Sequence, residues 1–254
     1  MRLRSTLVRV VVVVMVVLFG YVAWEAGLTL VRLEQVERER DTWQRPNEVI
    51  EALNVNAGDT VVDLGTGSGY FAIRLAPRVG PAGRVIAVDV RRQPLAFLWI
   101  RRLIRRDWQI HIVLADDEDP RLGMESVDAV LVANTYHELT DPAPTLKALR
   151  AVLKPGGRLV VTDRRPRAGP GVSAQAERDR HTLSPAVAEA EITSAGFQQV
   201  ARDDAFIDRP DDEPWWLMVF ASPRPQLRQR ALAIERGCEL DRHSVLHDIL
   251  MHFL

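Results

Sequence analysis

The chain is nearly without cysteine. Of its 254 residues only Cys238 carries a thiol. A lone cysteine forms no internal disulfide and no cysteine cluster for zinc, so neither kind of staple holds this fold. Cys238 itself reads as a buried or inert thiol, and the redox compartment stays open. An excess of one charge is lacking too. Lysine and arginine number 33 against 34 for aspartate and glutamate, a formal net charge of -1. That balance removes bulk electrostatic attraction as a route to nucleic acid. The sequence also lacks internal repeats and any nucleic-acid motif. What it has is an ordinary globular composition, 47% hydrophobic and 26% charged, and room for one sizeable domain with extras.

The N-terminus departs from this ordinariness. Arg2, Arg4 and Arg9 precede "VVVVVMVVLFGYVAW" (Val10 to Trp24), which is free of charge. Glu25 interrupts, and the apolar run resumes to Val31. With Glu25 tolerated near the interface, the run reaches the ~20 residues a bilayer-crossing helix needs. Trp24 and Glu25 before Ala26 are poor residues for a signal-peptide cut. Residues 1–31 are therefore read as a single-pass membrane anchor, a cleaved signal being the rival. Arginines flank the run on both sides, so the contrast that sets orientation is weak. Residues 32–42, charged through "EQVERERD", read as a solvated helix or linker.

From Thr60 strands and helices alternate. "TVVDL", "GRVIAVDV", "IHIVLAD", "VDAVLVAN" and "RLVVTD" read as strands, followed by "QQVARDDAF" and "WWLMVFAS". Helices lie between them. One is "PLAFLWIRRLIRR", with Leu95, Leu98, Trp99 and Leu103 as its apolar face. Another ends at Lys154-Pro155-Gly156-Gly157, and a last one is capped by Ser184 and stopped by Gly196. Such alternation predicts an α/β fold: a mainly parallel, Rossmann-like sheet covered by helices on both faces and preceded by an N-terminal hydrophobic helix. Ligands of such sheets bind beyond the carboxyl ends of the strands.

"VVDLGTGSGYF" sits at one such end. Gly65, Gly67 and Gly69 let the backbone turn tightly and approach a ligand, and the following helix turns free N–H groups toward it. The spacing G-x-G-x-G differs from the dinucleotide fingerprint G-x-G-x-x-G. Asp63, just before the loop, would oppose a pyrophosphate but favour a ligand with positive charge. S-adenosylmethionine, with its sulfonium and ammonium, fits. Asp89 ends the next strand, about 20 residues on, where an acid accepts from ribose hydroxyls. Asp116 ends the third strand and is suited to an adenine amino group. Any one of these acids alone would be read as a cap or a solvated turn. Together with the glycines they point to a cofactor site.

Over residues 43–222 the sequence resembles the class I S-adenosylmethionine-dependent methyltransferases. "VVDLGTGSGYF" is similar to their first motif, "VIAVDV" to the second, "VLADDEDP" to the third, and "LKPGGRLVVTD" to the turn and strand after the fourth. The likeness extends to a bacterial subgroup with "NTYHEL" (Asn134 to Leu139) and "H-x-L-S-P" (His181 to Pro185). The resemblance implies seven strands in the order 3-2-1-4-5-7-6, the seventh antiparallel. It implies S-adenosylmethionine as cofactor. Asp63, Gly65, Thr66, Gly67, Ser68 and Gly69 would hold its methionine part, Asp89 the ribose and Asp116 the adenine, with Asn134 also at the site.

Methyl transfer from a sulfonium is a direct displacement, so the protein contributes positioning and water exclusion, and a base only where the acceptor loses a proton. His137 is the candidate base. Glu138 or Tyr136 would orient an acceptor, and His181 would line the pocket or begin a loop. Against this stand structural roles: a backbone bond for His137, a helix cap for Glu138. The Gly-, Pro- and Arg-rich stretch 164–181 reads as a mobile loop beside the site, solvated by default, with two alternatives: a lid, or arginines that meet an anionic acceptor or lipid headgroups. Residues 223–254 read as a helical tail packed on the domain. No metal site is expected. Three functions remain open: a membrane-tethered methyltransferase with a small-molecule or lipid-like acceptor, a non-catalytic binding or scaffold protein on the same fold, and a nicotinamide-dependent oxidoreductase. Cofactor supply predicts that a working methyltransferase domain faces the cytoplasm.

Overall fold

The protein's structure is a computed structural model and describes residues 2–116, 127–167, 172–210 and 212–223. The N-terminal run forms one continuous helix, α1 (Arg2–Trp43), of 42 residues. At 1.5 Å per residue it is ~60 Å long. No proline interrupts it before Pro46. Its apolar side chains from Val10 to Trp24 stand exposed, Phe19 at 77%, and the helix is long and apolar enough to cross a bilayer. The charged stretch 32–42, expected to be solvated, is instead the docking end of this helix. Glu37 is buried there, as is Gln44 just beyond. Glu37 pairs with Arg101, Asp41 bonds Tyr70 and Arg74, and Trp43 meets Trp215. The "EQVERERD" charges are therefore split between solvent and buried partners, which composition alone does not reveal.

Seven strands follow: β1 (Thr60–Leu64), β2 (Arg84–Asp89), β3 (Ile110–Leu114), β4 (Val127–Ala133), β5 (Leu153–Arg164), β6 (Gln198–Ile207) and β7 (Trp215–Ala221). They form one sheet in the order β3-β2-β1-β4-β5-β7-β6. The first five run parallel, and β7 is antiparallel to both neighbours. Helices α2 (Pro46–Ala52), α3 (Tyr70–Val79) and α4 (Arg92–Arg105) cover one face; α5 (Pro142–Val152) and α7 (Pro185–Ser194) cover the other. Alternation along each strand divides the core. Val61 and Ala87 face α3, and Val62 and Val88 face α5.

Some local expectations shift. In α4, Leu95 and Leu98 are buried, but Trp99 and Leu103 are 51% and 37% exposed. The inward stripe runs instead toward Arg101 and Arg102, because Arg101 reaches Glu37 of α1. Ser184 occupies the N-cap position of α7 without a side-chain cap bond; its N–H donates to the buried Glu177. Gly196 does end that helix, with φ +88°. The stretch 164–181 carries a short helix, α6 (Ala174–Arg178), and its second half is fixed. Arg178 is buried, donating to the Leu139 carbonyl and to Glu191. Residues 117–120 of "VLADDEDP", and the tail 224–254 with Cys238, lie outside the described residues.

Candidate active site at the carboxyl edge of the sheet

A cavity of about 460 Å³ opens at the carboxyl ends of β1, β2 and β3, on the α5 side. Leu64, Val88 and Ala115 form its floor, Gly65, Asp89 and Asp116 its rim, and Thr135 with residues 138–141 its far wall. Four of the sequence-predicted residues, Gly65, Asp89, Asp116 and Glu138, thus meet around one space. Gly65 has φ +74°, and a Cβ there would come within 2.2 Å of Thr135 Oγ1. Only a bare α-carbon lets the loop lie against the turn after β4. Gly67 has φ +56° and nothing within 4 Å of where a Cβ would be. That side of the loop is open to a ligand.

The aspartates differ in depth. Asp63 is still inside the ladder, opposite Ala87 and Leu131. Asp89 is the last residue of β2, and Asp116 lies two past the end of β3. Strand parity turns Asp63 toward α3, away from the cavity floor that Leu64 forms. The structure therefore does not place Asp63 on the cavity wall. It is 2% exposed and accepts from the Thr66 hydroxyl at 2.7 Å and from the Ala72 backbone. Burial pushes its carboxyl up to about 6, against the pull of those two bonds. Its contact is with the glycine loop: Asp63 fixes Thr66, and Thr66 is itself buried.

Asp89 accepts from Gly67 N–H at 2.8 Å and from the Arg91 backbone N–H at 2.8 Å. It ties the open glycine to the start of α4 while remaining on the rim. Ser68 contributes its carbonyl to Arg101, and Gly69 caps α3 with φ +90°. Thr66, Ser68 and Gly69 thus build the loop without lining the cavity.

After β4 the chain turns sharply. Asn134 has φ +54° and sends its side chain to a second cavity on the opposite face of the sheet edge, while Thr135 lines the first. A short 3₁₀ turn, Tyr136–Glu138, follows. Its three residues point apart. Glu138 is exposed on the wall of the first cavity. Tyr136 is 1% exposed and donates to Glu191 at 3.0 Å; burial, then Glu191, raises its pKa. It is a core residue, and the expectation that it orients an acceptor does not fit this geometry.

His137 is 3% exposed and lines neither cavity. Asp163 clamps it: one carboxylate oxygen accepts from His137 N–H at 2.9 Å, the other lies 2.8 Å from Nδ1. The His181 ring meets it edge-on at 5.4 Å. Sequence reasoning missed Asp163, although "VVTD" ends its strand in the same way as "VVD" and "AVD". It also missed two wall residues: Thr135, inside "NTYHEL" but given no role, and Thr145, which belongs to no motif.

Residues 62–161 match a protein-family model described as a methyltransferase domain. The ubiquinone/menaquinone biosynthesis C-methyltransferase UbiE of Pseudomonas putida is 32% identical over 123 residues, 48% of this chain and 47% of the relative. The chain thus spans about half the length of that relative, and 32% of an uncharacterized 37.1 kDa protein in transposon TN4556 of Streptomyces fradiae. Among solved structures, a SAM-dependent methyltransferase from Aquifex aeolicus superposes with TM-score 0.59 at 22% identity, covering 69% of this chain and 88% of that one. Phosphoethanolamine N-methyltransferase 2 of Haemonchus contortus, in complex with S-adenosyl-L-methionine, gives 0.60 at 16% identity, covering 72% and 53%. At these identities the structural likeness is one of fold, and the fold is the Rossmann-like methyltransferase fold.

Proposed function

We propose that the protein is an S-adenosylmethionine-dependent methyltransferase, transferring a methyl group by direct displacement to a small-molecule or lipid-like acceptor. One observation carries this reading. Gly65, Asp89 and Asp116, from three successive strand ends, surround a single cavity. The donor set suits the cofactor. Asp89 offers carboxylate lone pairs for ribose hydroxyls, Asp116 an acceptor for the adenine amino group, and the glycine loop a bare backbone for the methionine end. When bound, the cofactor supplies an electrophilic methyl group. Asp63 acts through the loop it holds, adding a buried negative charge behind it. His137 belongs to the same reading as a positioning residue of the β4 turn rather than as a group on the cavity wall. Small-molecule acceptors are consistent with the names of the curated relative and of the nematode neighbour. The long apolar helix supports a single-pass anchor, and the cytoplasmic origin of the cofactor supports a domain facing the cytoplasm.

Calorimetric titration of the full chain in a nonionic detergent tests the cofactor. Micromolar binding of S-adenosylmethionine, about -8 kcal/mol, is expected, weakened tenfold or more in Asp89→Ala. A folded chain that binds neither it nor S-adenosylhomocysteine refutes the reading, and binding of NAD instead would favour an oxidoreductase. Protease protection of the domain in intact cells tests the orientation, and digestion there would overturn it.

A further inference from the structure

The second cavity, of about 430 Å³, lies between the foot of α1 and the ends of β4, β5 and β7. Trp43, Gln44 and Arg40 come from the foot of α1 and the residue after it; Asn134, Arg164 and Trp215 come from the sheet. It holds an unusual concentration of unsatisfied polar atoms. Gln44 Nε2, Arg164 Nε, Trp215 Nε1 and Asn134 Oδ1 are all buried and have no hydrogen-bond partner among the described residues. Gln44 and Trp215 are 1% and 2% exposed. Buried polar groups are ordinarily paired, and each orphan costs about 1–3 kcal/mol. Four around one space mark a site whose partner is a ligand.

The orphans also state the ligand's chemistry. Three of the four are N–H donors. Gln44 cannot turn its amide to help, because its Oε1 already accepts from Arg40 Nε at 2.7 Å. Three guanidinium groups line the space, Arg40, Arg164 and Arg209, against Glu39 and Asp212. Arg164 lies over the Trp215 ring and Arg209 over Trp43. Donors and positive charge call for a group rich in accepting oxygens and carrying negative charge. Location gives the rest. Val36, 53% exposed, is on the cavity rim, five residues below Val31, where the apolar run ends. That is ~8 Å along the helix. The wall it shares with the first cavity is the β4 turn, with Asn134 on one side and Thr135 on the other.

We propose that this second cavity binds the anionic, oxygen-bearing head of the methyl acceptor, delivered along α1 from the bilayer with its apolar part left outside. Its assignment as the acceptor site rests on the methyltransferase reading; its binding chemistry does not.

The test is calorimetric titration of the full chain, in nonionic detergent, with three probes: dodecyl phosphate, dodecyltrimethylammonium and inorganic phosphate. Dodecyl phosphate is expected to bind in preference to the cation, and to bind about tenfold more weakly in Gln44→Leu and in Trp215→Phe, each of which removes one buried donor. Equal binding of the cationic amphiphile, or undiminished binding in both variants, overturns the proposal. Inorganic phosphate binding as tightly as dodecyl phosphate overturns the bilayer source and assigns the same oxygens to a soluble anion. S-adenosylhomocysteine titrated into the same samples reports that the variants are folded. It also separates the two readings: cofactor without probe sinks only this proposal, and probe without cofactor sinks the methyltransferase and with it the acceptor assignment, leaving the anion-binding chemistry of the cavity.

Discussion

Replacing Arg101 with methionine leaves Glu37 buried without its main partner. The pair is bidentate, with Nη1–Oε1 at 2.7 Å and Nη2–Oε2 at 2.6 Å, and the side chains are 12% and 6% exposed. Breaking a buried pair from one side costs about 3–5 kcal/mol, because the remaining charge is desolvated and uncompensated. Arg74 still lies 3.8 Å from Glu37, which places the loss near the lower end, about 3 kcal/mol. For a domain of this size that lowers the melting temperature by ~6–12 °C. Removing both charges in Glu37→Met/Arg101→Met should restore stability to within about 1 kcal/mol of the parent. Cofactor affinity should not recover with it. Arg101 Nη1 also donates to the Ser68 carbonyl of the glycine loop at 2.8 Å, and that bond is absent from both variants. A loss of about fivefold in S-adenosylmethionine affinity, the worth of one hydrogen bond, is expected in each. Thermal unfolding and calorimetry of the detergent-solubilised full chain read both quantities. A single-variant loss under 1 kcal/mol, the value of an exposed ion pair, would refute the claim that α1 is docked through this bridge.

Three further outcomes are expected. Gly65→Ala forces a Cβ against Thr135 at a positive φ; it should abolish measurable cofactor binding and lower stability by about 1–3 kcal/mol, and unchanged binding would remove Gly65 from the site. Asp63 titrates near 6 when folded, against an ordinary 3.8, so the folded state holds its proton more tightly. The resulting stabilisation is present in full below about pH 4 and is lost as pH rises through 6, an amount near 3 kcal/mol. Asp63→Asn should flatten unfolding free energy across that window, and an unaltered pH profile would contradict the burial argument. His137→Ala should destabilise the chain by about 2 kcal/mol, through the cavity it leaves and the loss of the ring contact to Asp163, which keeps its backbone N–H partners, whereas His137→Gln should retain stability and methyl transfer. Intact stability with abolished transfer in His137→Gln would make His137 the base after all.

Much of this protein was determined locally. Period-two apolar runs bounded by glycine and proline specify strands, and their alternation with helices admits little besides a covered parallel sheet. The order β3-β2-β1-β4-β5-β7-β6 follows from the likeness of its motifs to a known family. The glycine loop was legible too, since a loop needing positive φ at three alternate positions has few other sequences open to it. Register was not legible. Asp63, Asp89 and Asp116 look alike in sequence, each an acid after an apolar strand. Only pairing shows that Asp63 sits opposite Ala87 inside the sheet while the other two reach its edge. The foot of α1 was likewise undetermined. "EQVERERD" has the composition of a solvated helix, and nothing local distinguishes Glu37, which is buried by a guanidinium 64 residues away, from its exposed neighbours. The second cavity depended most on the tertiary structure. Gln44, Asn134, Arg164 and Trp215 form no motif, because what joins them is the meeting of α1 with three strand ends, and convergence of that kind is a property of the packed chain rather than of any segment.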